Sequence, residues 1–311
     1  MPENNPAAGR GAASRRTLWL AFSAVFLIWG STYLAIKYAV QTIPPYLMGG
    51  SRFLLSGVIL FAWSRARGAD KPTPRQWRDA AIVGALLLCG GNGAVAWAEQ
   101  RVPSGITALL VASVPLWMVV IDWLRPNGRR PPLVVGLGLV VGLGGVAVLA
   151  LPGSAAAGGR VDPVGASMLV LGSISWAAGS IYSRHGARPA SAEMATSLQM
   201  ITGSVALFLV ATVAGELGGF RLTTVTRASF LGWAYLVTFG ALVGFTAYIY
   251  LLRETTPAKA TTYAYVNPIV AVVLGWMVAG EPITPRTMVA AAIILAGVAL
   301  ITLAGGPQEQ H

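Results

Sequence analysis

Ten apolar runs, each roughly twenty residues long, leave this chain of 311 residues little from which to build a water-facing surface. They fall at about 17–38, 45–64, 77–98, 104–124, 132–151, 163–183, 193–214, 229–251, 258–279 and 286–305. A bilayer core about 30 Å thick is crossed by about 20 apolar residues in a helix. Charged residues make up 11% of the chain and the mean hydropathy is +0.65, against roughly 25% charge in a soluble domain. The reading is therefore an all-α polytopic membrane protein with ten transmembrane helices. Pro103, Pro163 and Pro257 stand at run starts, where a missing N–H costs a helix nothing.

The connections orient the chain, because Lys and Arg collect on the cytoplasmic side. With both termini cytoplasmic, the outer connections hold only Arg101, Arg160, Arg221, Arg227 and Arg286 of the 22 basic residues. Lys37 and Arg52 fall inside runs, and the rest lie in the inner connections and the N-terminal tail. The first run is too long for a signal-peptide core and is read as an uncleaved helix. Residues 1–16 form a cytoplasmic, disordered tail in this reading, 152–162 an external linker and 306–311 a second cytoplasmic tail. The net charge of +11 is scattered rather than gathered into a patch, so no nucleic-acid partner is expected. One cysteine, Cys89, and two histidines are too few for a disulfide framework, a zinc site or a Ser–His–Asp triad. No metal, cofactor or catalytic residue is expected, and the protein is not read as an enzyme.

The two halves of the chain, 17–151 and 163–305, repeat one pattern. "WGSTYLAIK" (29–37) lies over "WAAGSIYSR" (176–184), matching Trp29 to Trp176 and Lys37 to Arg184. Gly57 matches Gly203, and Pro115 in "LLVASVPLWMVVIDWL" matches Pro268 in "TYAYVNPIVAVVLGWM". Five helices per half is an odd number, so the second copy enters the membrane inverted, as in transporters that bind substrate near the midplane between repeats.

"IWGSTYLAIKYAV", "GSRFLLSG", "GNGAVAWAEQRVPSGITALLVASVPL", "GSISWAAGSIYSR" and "YAYVNPIVAVVLGWMVAGEPIT" together resemble the EamA branch of the drug/metabolite transporter superfamily. The resemblance runs from about 18 to 304. It implies two inverted five-helix repeats and alternating access to a central cavity, lined mainly by the first, third, fourth, sixth, eighth and ninth helices. It also implies a small-molecule substrate, a metabolite, amino acid or drug, moved mostly by export through the inner membrane. A lipid-handling or purely structural membrane protein is the competing reading.

Polar groups within the apolar runs mark the residues to follow. Pro115 and Pro268 each deprive a preceding carbonyl of its helical partner, and backbone freed at depth needs protein or a water-lined cavity. They are candidate hinges, with a simple kink as the plainer reading. Asn267 must find hydrogen bonds, and Tyr263, four residues earlier, shares its face. Trp29 and Trp176 fall near span centres, where two facing indoles would form cavity walls. Asn92, between Gly91 and Gly93, and Trp97 complete the cavity candidates. Arg52 lies roughly 10 Å below the outer surface at 1.5 Å per residue. A pair with Glu99 is the leading reading, with a substrate carboxylate or snorkelling to headgroups as alternatives. The stretch Gly138–Gly142 reads as a GxxxG packing face, either inside the protein or at a homodimer seam.

Overall fold

A computed structural model describes residues 15–125, 130–150, 161–255 and 262–304. The two tails and most of the expected linker lie outside the described residues. Among the described residues, helical segments of 17 residues or more follow one another with no strand, and a short helix, Glu216–Gly219, and a 3-10 turn, Leu222–Thr224, precede the eighth of them. The long segments are α1 (Arg15–Ala39), α2 (Pro45–Ala66), α3 (Pro74–Ala98), α4 (Ser104–Leu124) and α5 (Leu133–Ala150), then α6 (Pro163–His185), α7 (Ala192–Val213), α8 (Arg227–Glu254), α9 (Tyr263–Ala279) and α10 (Pro285–Ala304). Eight are long and apolar enough to cross a membrane. The other two, α5 and α9, have 18 and 17 residues, about 26 Å at 1.5 Å per residue, slightly less than a bilayer core.

The ends of the helices follow local chemistry. Thr73 and Gln76 form a reciprocal capping box at the start of α3. Asp162, Ser191 and Thr226 each accept an N–H at the start of α6, α7 and α8. Buried hydroxyls return their hydrogen to a carbonyl one turn back, as Ser56 does to Arg52 and Ser173 to Leu169. A polar side chain within an apolar helix is satisfied in this way without a partner helix.

The halves exchange their first helices. α1 packs on α8 and α9 of the second half, and α6 packs on α3 and α4 of the first, while α2 lies along α7 and α5 along α10. A feature that periodicity did not reveal strengthens the correspondence. Both third helices widen to π geometry midway, over Ala85–Gly93 in α3 and Leu236–Val243 in α8. Such widenings are rare and leave carbonyls for outside donors. Here the donors come from the exchanged helices: Trp29 Nε1 gives its hydrogen to the Gly240 carbonyl at 3.2 Å, and Ser175 Oγ to the Leu86 carbonyl at 2.8 Å.

The glycine face of α5 is consumed internally. A Cβ on Gly138 would stand 2.9 Å from the Gly297 carbonyl, and one on Gly297 would stand 2.5 Å from the Gly142 backbone. The GxxxG stretch is thus the α5–α10 seam within one chain.

Candidate substrate site and the closed end

Four aromatic rings gather where α1, α8 and α9 meet. Trp29 lies at 4.9 Å from Tyr263, 5.1 Å from Tyr248 and 5.4 Å from Phe245, mostly edge to face. Tyr248 and Tyr263 stand at 5.6 Å and 90°. Such T-shaped contacts bring positive ring edges to negative ring faces. Asn267 sits one turn beyond Tyr263. With its nitrogen facing the two nearby carbonyls, the buried amide donates to Phe26 and Tyr263, each at 3.2 Å, and so ties α1 to α9. Gly30 makes this approach possible, because a Cβ there would stand 2.6 Å from Val270.

Trp176 is not part of that cluster. Its ring lies over Gly91 of the α3 π segment, where an added Cβ would meet Cε3 at 2.6 Å. No ring contact joins Trp29 and Trp176 among the described residues, so the two indoles do not face each other as expected but lie separately, one on each exchanged helix. Trp97 also departs from expectation. It lies toward the end of α3, under the Arg101 guanidinium at 4.7 Å. There it borders a 410 Å³ vestibule shared with Gln41, Tyr46, Gln100 and Glu216.

The expected Arg52–Glu99 ion pair does not form. Arg52 Nη2 donates instead to Asn92 Oδ1 at 2.9 Å, and the guanidinium lies over the Phe53 ring at 4.2 Å. The reason is reach along α3. Asn92 is in the π segment beside α2, whereas Glu99 comes after the last turn. Asn92→Leu is therefore expected to strand a buried cation and to destabilise the protein by about 1.5–3 kcal/mol, the range for a hydrogen bond to a charged group. Thermal unfolding of Asn92→Leu, Arg52→Met and the double variant checks this, with partial recovery expected in the double variant.

The matched prolines act differently. Pro115 divides α4 into Ser104–Val111 and Val114–Leu124, with Ser113 at the break and Trp117 Nε1 donating to its hydroxyl at 3.1 Å. Pro268 stays inside a continuous α9.

The strongest polar assembly was not foreseen. Gly280 ends α9 in the left-handed region at φ 65°, a conformation glycine adopts without strain. That turn sends Glu281 back along α9, where Gly275 leaves room for its carboxyl. The carboxylate accepts from Ser104 N at 2.8 Å, Ser104 Oγ at 3.0 Å and Gly105 N at 3.1 Å, and pairs with the Lys37 ammonium. One acid thereby latches the ends of α1, α4 and α9, using the N–H groups that any helix start leaves free. Burial alone would raise its carboxyl, but Lys37 and the Ser104 and Gly105 amides outweigh that and hold it below the usual range. The signals were present in "PSG" and "GEP", but nothing in either stretch names the other as its partner.

At the opposite end, the buried Asp79 of α3 accepts from Ala187 N at 2.7 Å, Tyr182 OH at 3.2 Å and Arg78 Nε at 2.9 Å. Ser229 occupies the corresponding start of α8 and donates to the Tyr38 carbonyl at 2.8 Å. Each third helix thus holds the final turn of the exchanged first helix.

Two copies of the EamA-like transporter family model match this chain, at residues 16–151 and 163–303. The chain belongs to the EamA-like transporter family. It is 40% identical to the "Uncharacterized inner membrane transporter YedA" of Escherichia coli (strain K12), over 92% of this chain and 90% of that protein. The "Uncharacterized transporter YvbV" of Bacillus subtilis (strain 168) is 24% identical over 95% and 94%. A solved structure titled "Crystal structure of protein" shares the fold at a TM-score of 0.62 and 20% identity, covering 93% of this chain and 98% of that one. In this EamA-like chain the family boundary between residues 151 and 163 separates the two sets of helices whose first members are exchanged.

Proposed function

We propose that this chain carries a small solute across the inner membrane as an exporter, with both termini in the cytoplasm. All ten helices cross, and the Glu281 latch lies at the outer face. The solute is a metabolite, an amino acid or a related compound. It sits between the ring cluster of α1, α8 and α9 and the Trp176 wall of α3 and α6, and the ends open alternately.

The observation that carries this reading is the uneven packing of α4 about Pro115. Six of the eight residues in Ser104–Val111 are buried, and this half meets α1, α6 and α9. In Val114–Leu124 only Leu116 is buried, and contacts run chiefly to α5, α6 and α10 on its own side. A bundle closed at one end and loosely packed at the other is one of the two states that rocking requires. Pro115 is the hinge of that motion in α4, and Pro268, between the Asn267 and Val270 contacts with Gly30 of α1, the pivot in α9. Trp29, Tyr263 and Asn267 bear the solute on one side and Trp176 and Asn92 on the other, while Trp97 lines its exit.

Purified protein in liposomes, offered a panel of amino acids and drugs with and without a pH gradient, tests the proposal. At least one solute is expected to move, and the flux is expected to fall at least tenfold in Trp29→Ala. A cooperatively folded protein that moves none of the panel would overturn it.

A further inference from the structure

Glu99 follows the final turn of α3 with only 4% of its surface exposed. Neither carboxyl oxygen has a hydrogen-bond partner among the described residues. The groups acting on it come from three neighbouring elements: Tyr33 and Lys37 of α1, Arg52 of α2 and Glu281 of the α9–α10 turn. Both bases are engaged elsewhere, Lys37 by Glu281 and Arg52 Nη2 by Asn92. Arg101, two residues on, is held by the Trp97 ring and by Asp162 at 3.9 Å. The start of α4 brings only Ser104 and Thr107, and the buried Thr107 hydroxyl also lacks a partner.

An ionised Glu99 would place a second negative charge near Glu281 without a donor to receive it. Removing an ion from water without such compensation costs several kcal/mol. When two acids share a poorly solvated site, the better-served one keeps its charge and the other keeps its proton. Glu281 has three protein donors and an ammonium; Glu99 has only the weak pull of the Lys37 backbone N–H, with no hydrogen bond of normal geometry. Burial, reinforced by the Glu281 charge, pushes the Glu99 carboxyl well above the usual range.

We propose that Glu99 is a proton-binding site, loaded when the Glu281 end closes and emptied when that end opens. The inference rests on the transport reading above and adds the ligand that accompanies the conformational change. On opening, water reaches Glu99, its O–H bond breaks, the proton passes to that water and the carboxylate remains. Closing reverses each step. Loading and emptying occur at one face, so a cycle carries no net proton across the membrane. The sign follows directly: the open form binds fewer protons, so raising the pH at that face favours opening. Between the usual glutamate value near 4.3 and the raised one, the open-to-closed ratio changes by up to about tenfold per pH unit.

Infrared spectra of the reconstituted protein at neutral pH test the loading without any transported solute, so failure here is distinct from failure of the transport reading. A carboxylic-acid C=O band is expected in the unaltered protein. It should vanish in Glu99→Gln, shift in Glu99→Asp and weaken in Glu281→Gln, which favours the open, emptied form. The labelling rate of Thr107→Cys, in a Cys89→Ala background and divided by that of a freely exposed thiol at the same pH so that the thiolate fraction cancels, should rise by up to about tenfold per pH unit, and that rise should disappear when Glu99→Gln is added. Identical carboxyl bands with and without Glu99→Gln, or a band undiminished in Glu281→Gln, would overturn the proposal.

Discussion

Glu281→Gln should release the closed end and lower the stability of the purified protein by about 2–3 kcal/mol. The carboxylate serves three donors from the start of α4 and one ammonium from α1. A glutamine retains one acceptor but turns its NH2 toward the remaining donors, so Lys37 or an amide is left unserved. Breaking a fully buried ion pair costs about 3–5 kcal/mol. The Lys37 side chain is 28% exposed, and water recovers part of that loss. The remaining 2–3 kcal/mol corresponds to roughly a 30- to 150-fold shift toward the open end. Cysteine labelling at the start of α4 and thermal unfolding read the two consequences separately. The acid dependence has a definite sign. Glu281 is held below its unfolded value, so its contribution is present above about pH 4.3 and is lost as pH falls through the lower folded value. Glu281→Gln should lack that acid-induced loss.

Gly297→Leu should be more damaging, because the obstacle is backbone. A Cβ at position 297 would lie 2.5 Å from both Cα and N of Gly142 and 2.7 Å from the Gly138 carbonyl. No rotamer change relieves such contacts, so α5 and α10 must separate along their seam. Overpacking costs about 1–3 kcal/mol where side chains can shift, and more is expected here. Even Gly297→Ala should lower the melting temperature by about 5 °C or more. Gly144→Ala supplies the control on the same seam helix, since nothing lies within 4 Å of its added carbon. That variant should melt at the unaltered temperature or slightly above it, as alanine favours a helix over glycine. Equal melting of Gly297→Ala and the unaltered protein would contradict the seam.

The features most legible in the sequence were those set by local composition. Apolar run length located the helices, and Pro103 and Pro163 marked the starts of α4 and α6. The match of Trp29 to Trp176 foreshadowed the exchange of first helices, because both stand where those helices meet the π segments of the opposite half. The pairing of Tyr263 with Asn267 followed from helical spacing alone. What escaped depended on contacts between distant segments. Periodicity finds a helix but does not see a π widening, since one extra residue per turn barely disturbs a short apolar pattern. Charge complementarity pairs the buried Arg52 with Glu99 in sequence, whereas in the fold the neutral amide of Asn92 on the adjacent helix reaches it. The Lys37–Glu281–Ser104 latch joins three stretches, and its acid stands in a connection, where a carboxylate needs no explanation until the fold brings it under α4.

The central claim is that α4 is gripped on one side of Pro115 and loose on the other, and that these conditions exchange. Labelling single cysteines at Thr107 and Met118 with a membrane-impermeant thiol reagent, each with and without Glu281→Gln, tests this most directly. In the Cys89→Ala background, Thr107→Cys should react slowly and Met118→Cys readily from its own face. Glu281→Gln should reverse that order. If both sites change together, or neither responds, the two ends are not coupled and alternating access through this bundle is contradicted.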